Sequence, residues 1–149
     1  RSEEAQKGVL NRANQILQTN KILNIEQTLE RWFKNKTSVD DLKKIDKVRN
    51  WLANASPKGY GRAYRLFALS DKVFLNKLSQ LRPPVLYLTG DEDPNSPPAM
   101  AQQMAEETPN GTSNSLTGEA HMMSYIAANK VNPIIEQFFM KAKKEKPDE

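Results

Sequence analysis

Leu81-Arg82-Pro83-Pro84-Val85-Leu86-Tyr87-Leu88-Thr89-Gly90-Asp91-Glu92-Asp93-Pro94-Asn95-Ser96-Pro97-Pro98 is the stretch on which the fold turns. Val85 to Thr89 has the composition of a strand and lies between a proline pair that cannot continue a ladder and a glycine followed by three carboxylates. A buried strand therefore ends in an acidic loop. A helix is expected after it, with Ser96 as N-cap and Pro97 at its first position, running through Ala99, Met100, Met104 and Ala105 until Thr108-Pro109-Asn110-Gly111 stops it. A short strand over Thr112 to Leu116 and a Thr117-Gly118-Glu119-Ala120-His121 loop follow. The order strand, acidic loop, helix, strand, histidine loop is one α/β unit. Its carboxylates and its imidazole both fall at the carboxyl ends of strands, and His121 is the single histidine of the chain.

Upstream, residues 2–80 read as helices throughout. Ala5, Val9, Leu10, Ala13, Ile16 and Leu17 recur at helical spacing. Asn24-Ile25-Glu26-Gln27 has the form of a capping box ahead of Leu29, Trp32 and Phe33. Ser38 with Asp41 gives a second start signal, followed by the stripe Leu42, Ile45, Val48, Trp51 and Leu52. Ser56-Pro57 opens a fourth helix through Tyr60, Tyr64, Phe67 and Ala68, and a brief helical turn is expected around Val73 to Leu78. Downstream of the histidine a last helix, Asn129 to Lys143, would bury Val131, Ile134, Ile135, Phe138 and Phe139, with Pro133 in its first turn, before a charged tail. Two short strands do not make an independently stable sheet, so further strands are expected beside them.

Composition narrows the function classes. The 149 residues are enough for one domain, with 38% hydrophobic and 27% charged residues and a net charge of +4 in which the two signs interleave. No cysteine is present, which excludes disulfides, thiolate nucleophiles and thiolate metal sites and fits a cytoplasmic setting. No apolar run is long enough to span a bilayer. Starting at Arg1, inside what reads as a helix, the chain looks like part of something longer.

The run Pro84 to Pro98, together with Gly118-Glu119-Ala120-His121 and the last amphipathic helix, resembles the C-terminal part of the α/β-hydrolase superfamily. Within it the likeness is to the capped 3-oxoadipate enol-lactonases, C–C hydrolases and related esterases. The resemblance implies an incomplete α/β-hydrolase fold: a helical cap over residues 1–80, then the last two parallel strands and flanking helices of the core over 81–149. It also implies roles. The family's acid closes a Gly-x-x-Asp turn, which Gly90-Asp91-Glu92-Asp93 matches with Asp93, and its histidine closes a Gly-x-x-His loop, which Gly118 to His121 matches with Ala120 where glycine is commoner. Asp93 and His121 are thus the expected catalytic pair, with Asp91 and Glu92 as solvated neighbours. Those two acids also suggest a metal, but with one histidine and no third ligand we expect neither metal nor cofactor.

The nucleophile is where the chain departs from the family. Its serine stands in a Gly-x-Ser-x-Gly elbow between strand and helix, and none of the six glycines here frames one. The expected partners are therefore a small ester, lactone or related carbonyl substrate and the N-terminal portion of the same hydrolase, with a homo-oligomer left open and no nucleic acid or membrane. Taken alone the chain should be inactive. Trp32, Tyr60 and Met122 are the candidates for contact with substrate, although aromatic residues at helical spacing more often pack a core. The rival readings are a basic helical module that binds protein or nucleic acid through Lys43, Lys44, Lys47 and Arg49, or a hydrolase-like scaffold without catalysis.

Overall fold

The computed structural model describes residues 3–70, 73–74 and 76–144. The expected tail beyond Lys144 and part of the turn expected over Val73 to Leu78 lie outside the described residues; the nearest regular element there is a 3-10 turn at Leu78–Gln80. Four helices come first: α1 (Glu3–Thr19), α2 (Ile25–Phe33), α3 (Val39–Asn54) and α4 (Pro57–Leu69). The α/β unit follows as β1 (Val85–Gly90), α5 (Pro98–Glu107) and β2 (Gly111–Leu116), then a single turn α6 (Met123–Ile126) and α7 (Ala128–Lys144).

The helices pack in two pairs. α1 and α4 run antiparallel: Gln6 Nε2 donates to the Ala68 carbonyl (2.8 Å) at one end, and Gly61 meets Leu17 at the other. Small residues allow the approach, since Ala13 and Ala68 are fully buried and a Cβ at Gly61 would lie 2.9 Å from the Leu17 side chain. α2 and α3 form the second pair, joined at the surface by Arg49, whose Nε and Nη2 donate to the two Glu26 oxygens (2.7 and 3.0 Å). That pairing holds the Glu26 carboxyl below the usual range. Beneath it Leu29, Phe33, Val48 and Leu52 close on Ile126 and Ala127, so the helical half and the segment after His121 share one apolar cluster.

β1 and β2 are parallel neighbours, in register from Val85 opposite Gly111 to Gly90 opposite Leu116. α5 packs across both. Tyr87 and Thr108 join hydroxyls (2.7 Å) beneath it, and Thr108 in turn donates to the Met104 carbonyl (2.8 Å). Because the strands are parallel, the loops that leave Gly90 and Leu116 emerge at the same edge, which puts residues 93 and 121 on one side of the sheet.

Local expectations fared unevenly. Ser38 and Ser56 cap α3 and α4 through their hydroxyls, which accept the backbone N–H of Asp41 and Gly59. Asn24 does not cap: it lies in the left-handed region (φ 59°, ψ 40°), where its amide cannot reach the first turn, and instead its backbone carbonyl accepts Thr28 N–H and Oγ1–H. α5 begins one residue later than expected, at Pro98, because a residue before proline is held out of the helical region and Pro97 is accordingly extended (ψ 158°). Pro133 falls in the second turn of α7, not the first, since the helix already starts at Ala128. Two stripes are only partly covered: Val48, Leu52 and Val131 are buried, while Leu42, Trp51, Ile135 and Phe139 are exposed.

Candidate active site

Asp93 follows β1 by a turn in which its own N–H returns to the Gly90 carbonyl (3.2 Å). Its carboxylate is buried and its two oxygens divide the work. Oδ1 accepts the backbone N–H of Asn95 (2.7 Å) and of Ser96 (3.2 Å), an Asx arrangement that fixes the loop. Oδ2 faces His121 Nδ1 at 2.9 Å. The loop has a second anchor, Thr89, buried at the end of β1, whose hydroxyl donates to the Ser96 carbonyl (2.5 Å).

The histidine loop is tied to the acidic loop at close range. Glu92 N–H donates to the Glu119 carbonyl (2.9 Å), Asp91 N–H to the Leu116 carbonyl (3.1 Å), and Gly118 N–H to Asp91 Oδ1 (2.8 Å). Asp91 is exposed but is thus a link between the loops as well as a solvated neighbour. Gly90 permits the contact, because a Cβ there would lie 2.2 Å from the Glu119 carbonyl oxygen. Among the described residues no three His, Cys, Asp or Glu side chains gather as a metal site would need.

Glu119 itself was not singled out by the sequence. It is 1% exposed and held between two lysines, Lys130 Nζ on Oε1 (2.7 Å) and Lys36 Nζ on Oε2 (2.8 Å), with Lys36 also donating to the Gly118 carbonyl (2.9 Å). Burial pushes its carboxyl up, but the hydrogen bonds from Lys130 and Lys36 outweigh this and leave it below the ordinary range. The ion triad joins the segment after α2, the histidine loop and α7.

A carboxylate only accepts, so an ionised Asp93 selects Nδ1 as the donor of this contact, and in that tautomer Nε2 is the ring nitrogen left to act as an acceptor. Among the described residues Nε2 has no hydrogen-bond partner. The imidazole borders a cavity of about 350 Å³ with Arg12, Arg31, Trp32, Tyr64 and Asn95 among its walls. Trp32 is therefore brought to the histidine, ring centres 5.7 Å apart, and its backbone carbonyl accepts Met122 N–H (3.1 Å). Met122 and Tyr60 are not brought there: both pack against the Leu29 and Phe33 cluster, and Tyr60 stacks on Tyr64 at 5.7 Å. Burial raises the Tyr60 hydroxyl above its ordinary pKa. Arg12 and Arg31 lie on helix faces that read as solvated, and no spacing in the sequence links them.

Residues 69–149, more than half of the chain, match the family described as TAP-like protein, an α/β-hydrolase family. The chain belongs to the α/β-hydrolase superfamily. A curated relative is 37% identical over 138 residues, covering 91% of this chain and 50% of its own length: the (E)-2-((N-methylformamido)methylene)succinate hydrolase of Acinetobacter baylyi. Solved α/β structures agree in fold. A thermophilic esterase from Thermogutta terrifontis, determined with malate bound, superposes with a TM-score of 0.80 at 24% identity, covering 95% of this chain and 52% of that one. A putative non-heme bromoperoxidase from Mycobacterium tuberculosis superposes at 0.73 and 19% identity, covering 95% and 55%. The chain spans about half the length of these relatives. A two-stranded parallel sheet with its flanking helices is accordingly a partial α/β-hydrolase fold. No described helix is long and apolar enough to cross a membrane.

Proposed function

We propose that this chain carries the acid and the base of a hydrolase that cleaves a small ester, lactone or related carbonyl substrate. The observation that carries the reading is the 2.9 Å contact of His121 Nδ1 with a buried Asp93 carboxylate, on an imidazole that borders a cavity. The Acinetobacter relative is named as a hydrolase of an N-methylformamido-bearing methylenesuccinate, which supports hydrolysis as the reaction class.

In this mechanism a hydroxyl nucleophile, expected to be a serine supplied outside these residues, gives its proton to His121 Nε2 as its oxygen bonds to the substrate carbonyl carbon. Asp93 keeps the ring oriented and stabilises the imidazolium. The imidazolium then protonates the leaving oxygen or nitrogen as its bond to the acyl carbon breaks. Water repeats the sequence: His121 takes one proton, the hydroxyl oxygen bonds to the acyl carbon, and the nucleophile leaves with the proton returned. The helices of α1 to α4 act as the cap over the cavity. No cofactor enters any step.

The test uses the full-length protein and p-nitrophenyl acetate. His121→Ala should lower kcat by about three or more orders of magnitude, by analogy with triad knockouts. Activity equal to the parent would end the assignment of His121 as base. The 149-residue chain by itself should show no turnover above the rate in buffer.

The basic-module reading has less to stand on. Lys43 lies 3.7 Å from Asp40, Lys44 donates to the Ile126 carbonyl, Lys47 lies over the Trp51 ring and Arg49 binds Glu26 and Asp46. Each of the four thus has a partner within the chain. Tight nucleic-acid binding that weakens steeply with salt would favour that reading over the hydrolase.

A further inference from the structure

Asp93 is held from within its own loop, by the N–H groups of Asn95 and Ser96 and by the bond that Thr89 makes to the Ser96 carbonyl. His121 is held differently. The acidic loop secures only the first half of the histidine loop, through Gly118 N–H on Asp91 and Glu92 N–H on the Glu119 carbonyl. The remaining ties come from the helical half, from the run Trp32 to Lys36 at and just beyond the end of α2.

Those ties fall on both sides of the imidazole. After it, the Trp32 carbonyl accepts Met122 N–H (3.1 Å). Before it, Lys36 Nζ donates to the Gly118 carbonyl (2.9 Å) and meets Glu119 Oε2 (2.8 Å). That oxygen is fully buried, and among the described residues Lys36 is its one polar contact. Without the ammonium, a charged oxygen would be left with neither water nor donor. Lys130 is placed otherwise: it meets the other oxygen from α7 and is half exposed, whereas the Lys36 side chain is 20% exposed.

The backbone bends to bring Lys36 there. Lys34, which closes α2, has φ 48° and ψ −131°, a conformation that favours glycine, and its N–H returns to the Glu30 carbonyl (2.9 Å). Another residue type persists in such a conformation when its surroundings fix it. Phe33 on one side is buried against the cluster that holds Ile126 and Ala127, and Lys36 on the other is bound to the histidine loop. The turn is thus fastened at both ends to the segment that carries the base.

We propose that Lys36 is a positioning residue for the base: through Glu119 and the Gly118 carbonyl it clasps the histidine loop to the end of α2, so that His121 faces its nucleophile only while the helical cap is seated. The word base rests on the hydrolase reading, while the clasp itself stands on the contacts of Lys36. Asp93 sets the proton on the ring, and Lys36 sets where the ring stands.

The test uses the full-length protein with Lys36→Met, Lys36→Arg and Lys130→Met. With p-nitrophenyl acetate, Lys36→Met should lower kcat about tenfold or more while KM stays within about twofold, because the lost contact orients the base and does not touch substrate. Lys36→Arg, which returns the charge, should recover at least part of kcat. Lys130→Met takes an equal charge from the same carboxylate but leaves the clasp, and should lower kcat less than about threefold. A second readout is independent of catalysis: hydrogen exchange of peptides covering residues 117–123 should quicken about tenfold in Lys36→Met and stay near the parent rate in Lys130→Met. Quickened exchange in a protein whose parent does not hydrolyse the ester supports the clasp and counts against the hydrolase reading alone. Equal losses of kcat from the two methionine variants, a fall in kcat/KM carried by KM, or exchange unmoved in Lys36→Met overturns the proposal and leaves Asp93 and His121 as the acid–base pair.

Discussion

At the scale of single residues, the site depends on how closely two loops can approach. The Glu119 carbonyl passes over Gly90 at a distance that leaves no room for a methyl group, and this brings His121 within reach of Asp93. Gly90→Ala should therefore push the loops apart, with a loss of about 2–4 kcal/mol in urea unfolding and a fall in activity larger than the stability loss alone explains. An unchanged unfolding midpoint would show that the loops have slack. The strand pattern located an acidic loop after Thr89 and a histidine loop after Leu116, but it was the resemblance to the α/β-hydrolases that singled out Asp93 among three adjacent carboxylates and paired it with His121. Arg12 and Arg31 were not legible, since they come from different helices and only the packing of α1 and α2 around Trp32 and Tyr64 puts them in one recess.

At the scale of elements, Glu119 couples three segments that are distant in sequence. Lys36 follows α2, Lys130 is in α7, and the histidine loop carries the carboxylate that both reach. Removing that carboxylate strands the lysines, although Lys130 is half exposed and can turn to solvent, so Glu119→Ala should cost about 2–3 kcal/mol, toward the low end for a broken buried pair. The pH dependence has a definite sign. A carboxyl held below its ordinary value, about 4.5, contributes its full stabilisation above that value and loses it as the pH falls through the lower folded-state value. Urea midpoints measured down through that acid range should fall more steeply for the parent than for Glu119→Gln; parallel curves would remove Glu119 as a source of acid lability. Helix starts at Ser38 and Ser56 were readable because a hydroxyl in extended backbone can reach the first turn, whereas Asn24 had the right residue type but a left-handed backbone that spacing cannot reveal.

At the scale of the whole molecule, the parallel pair β1 and β2 has few neighbours to cover it. Thr112 to Ser115 are exposed along β2, and Phe139 and Phe67 show apolar surface that helix periodicity assigns to a core. The stripes were legible, but periodicity says only which face is apolar and not whether anything lies opposite. The isolated 149-residue chain should accordingly give a strongly helical circular dichroism spectrum with a broad, weakly cooperative thermal transition. A sharp two-state transition would show that these residues are a sufficient folding unit.

The central claim is that Asp93 holds the proton on Nδ1 of His121 and leaves Nε2 bare as the base. Since this is the chain's single histidine, nitrogen-15 NMR of protein labelled at histidine reports on one ring without assignment. At mildly alkaline pH the account predicts a ring protonated at Nδ1 and bare at Nε2, with that preference lost in Asp93→Asn. A ring protonated at Nε2, or a tautomer mixture unaffected by Asp93→Asn, would contradict it.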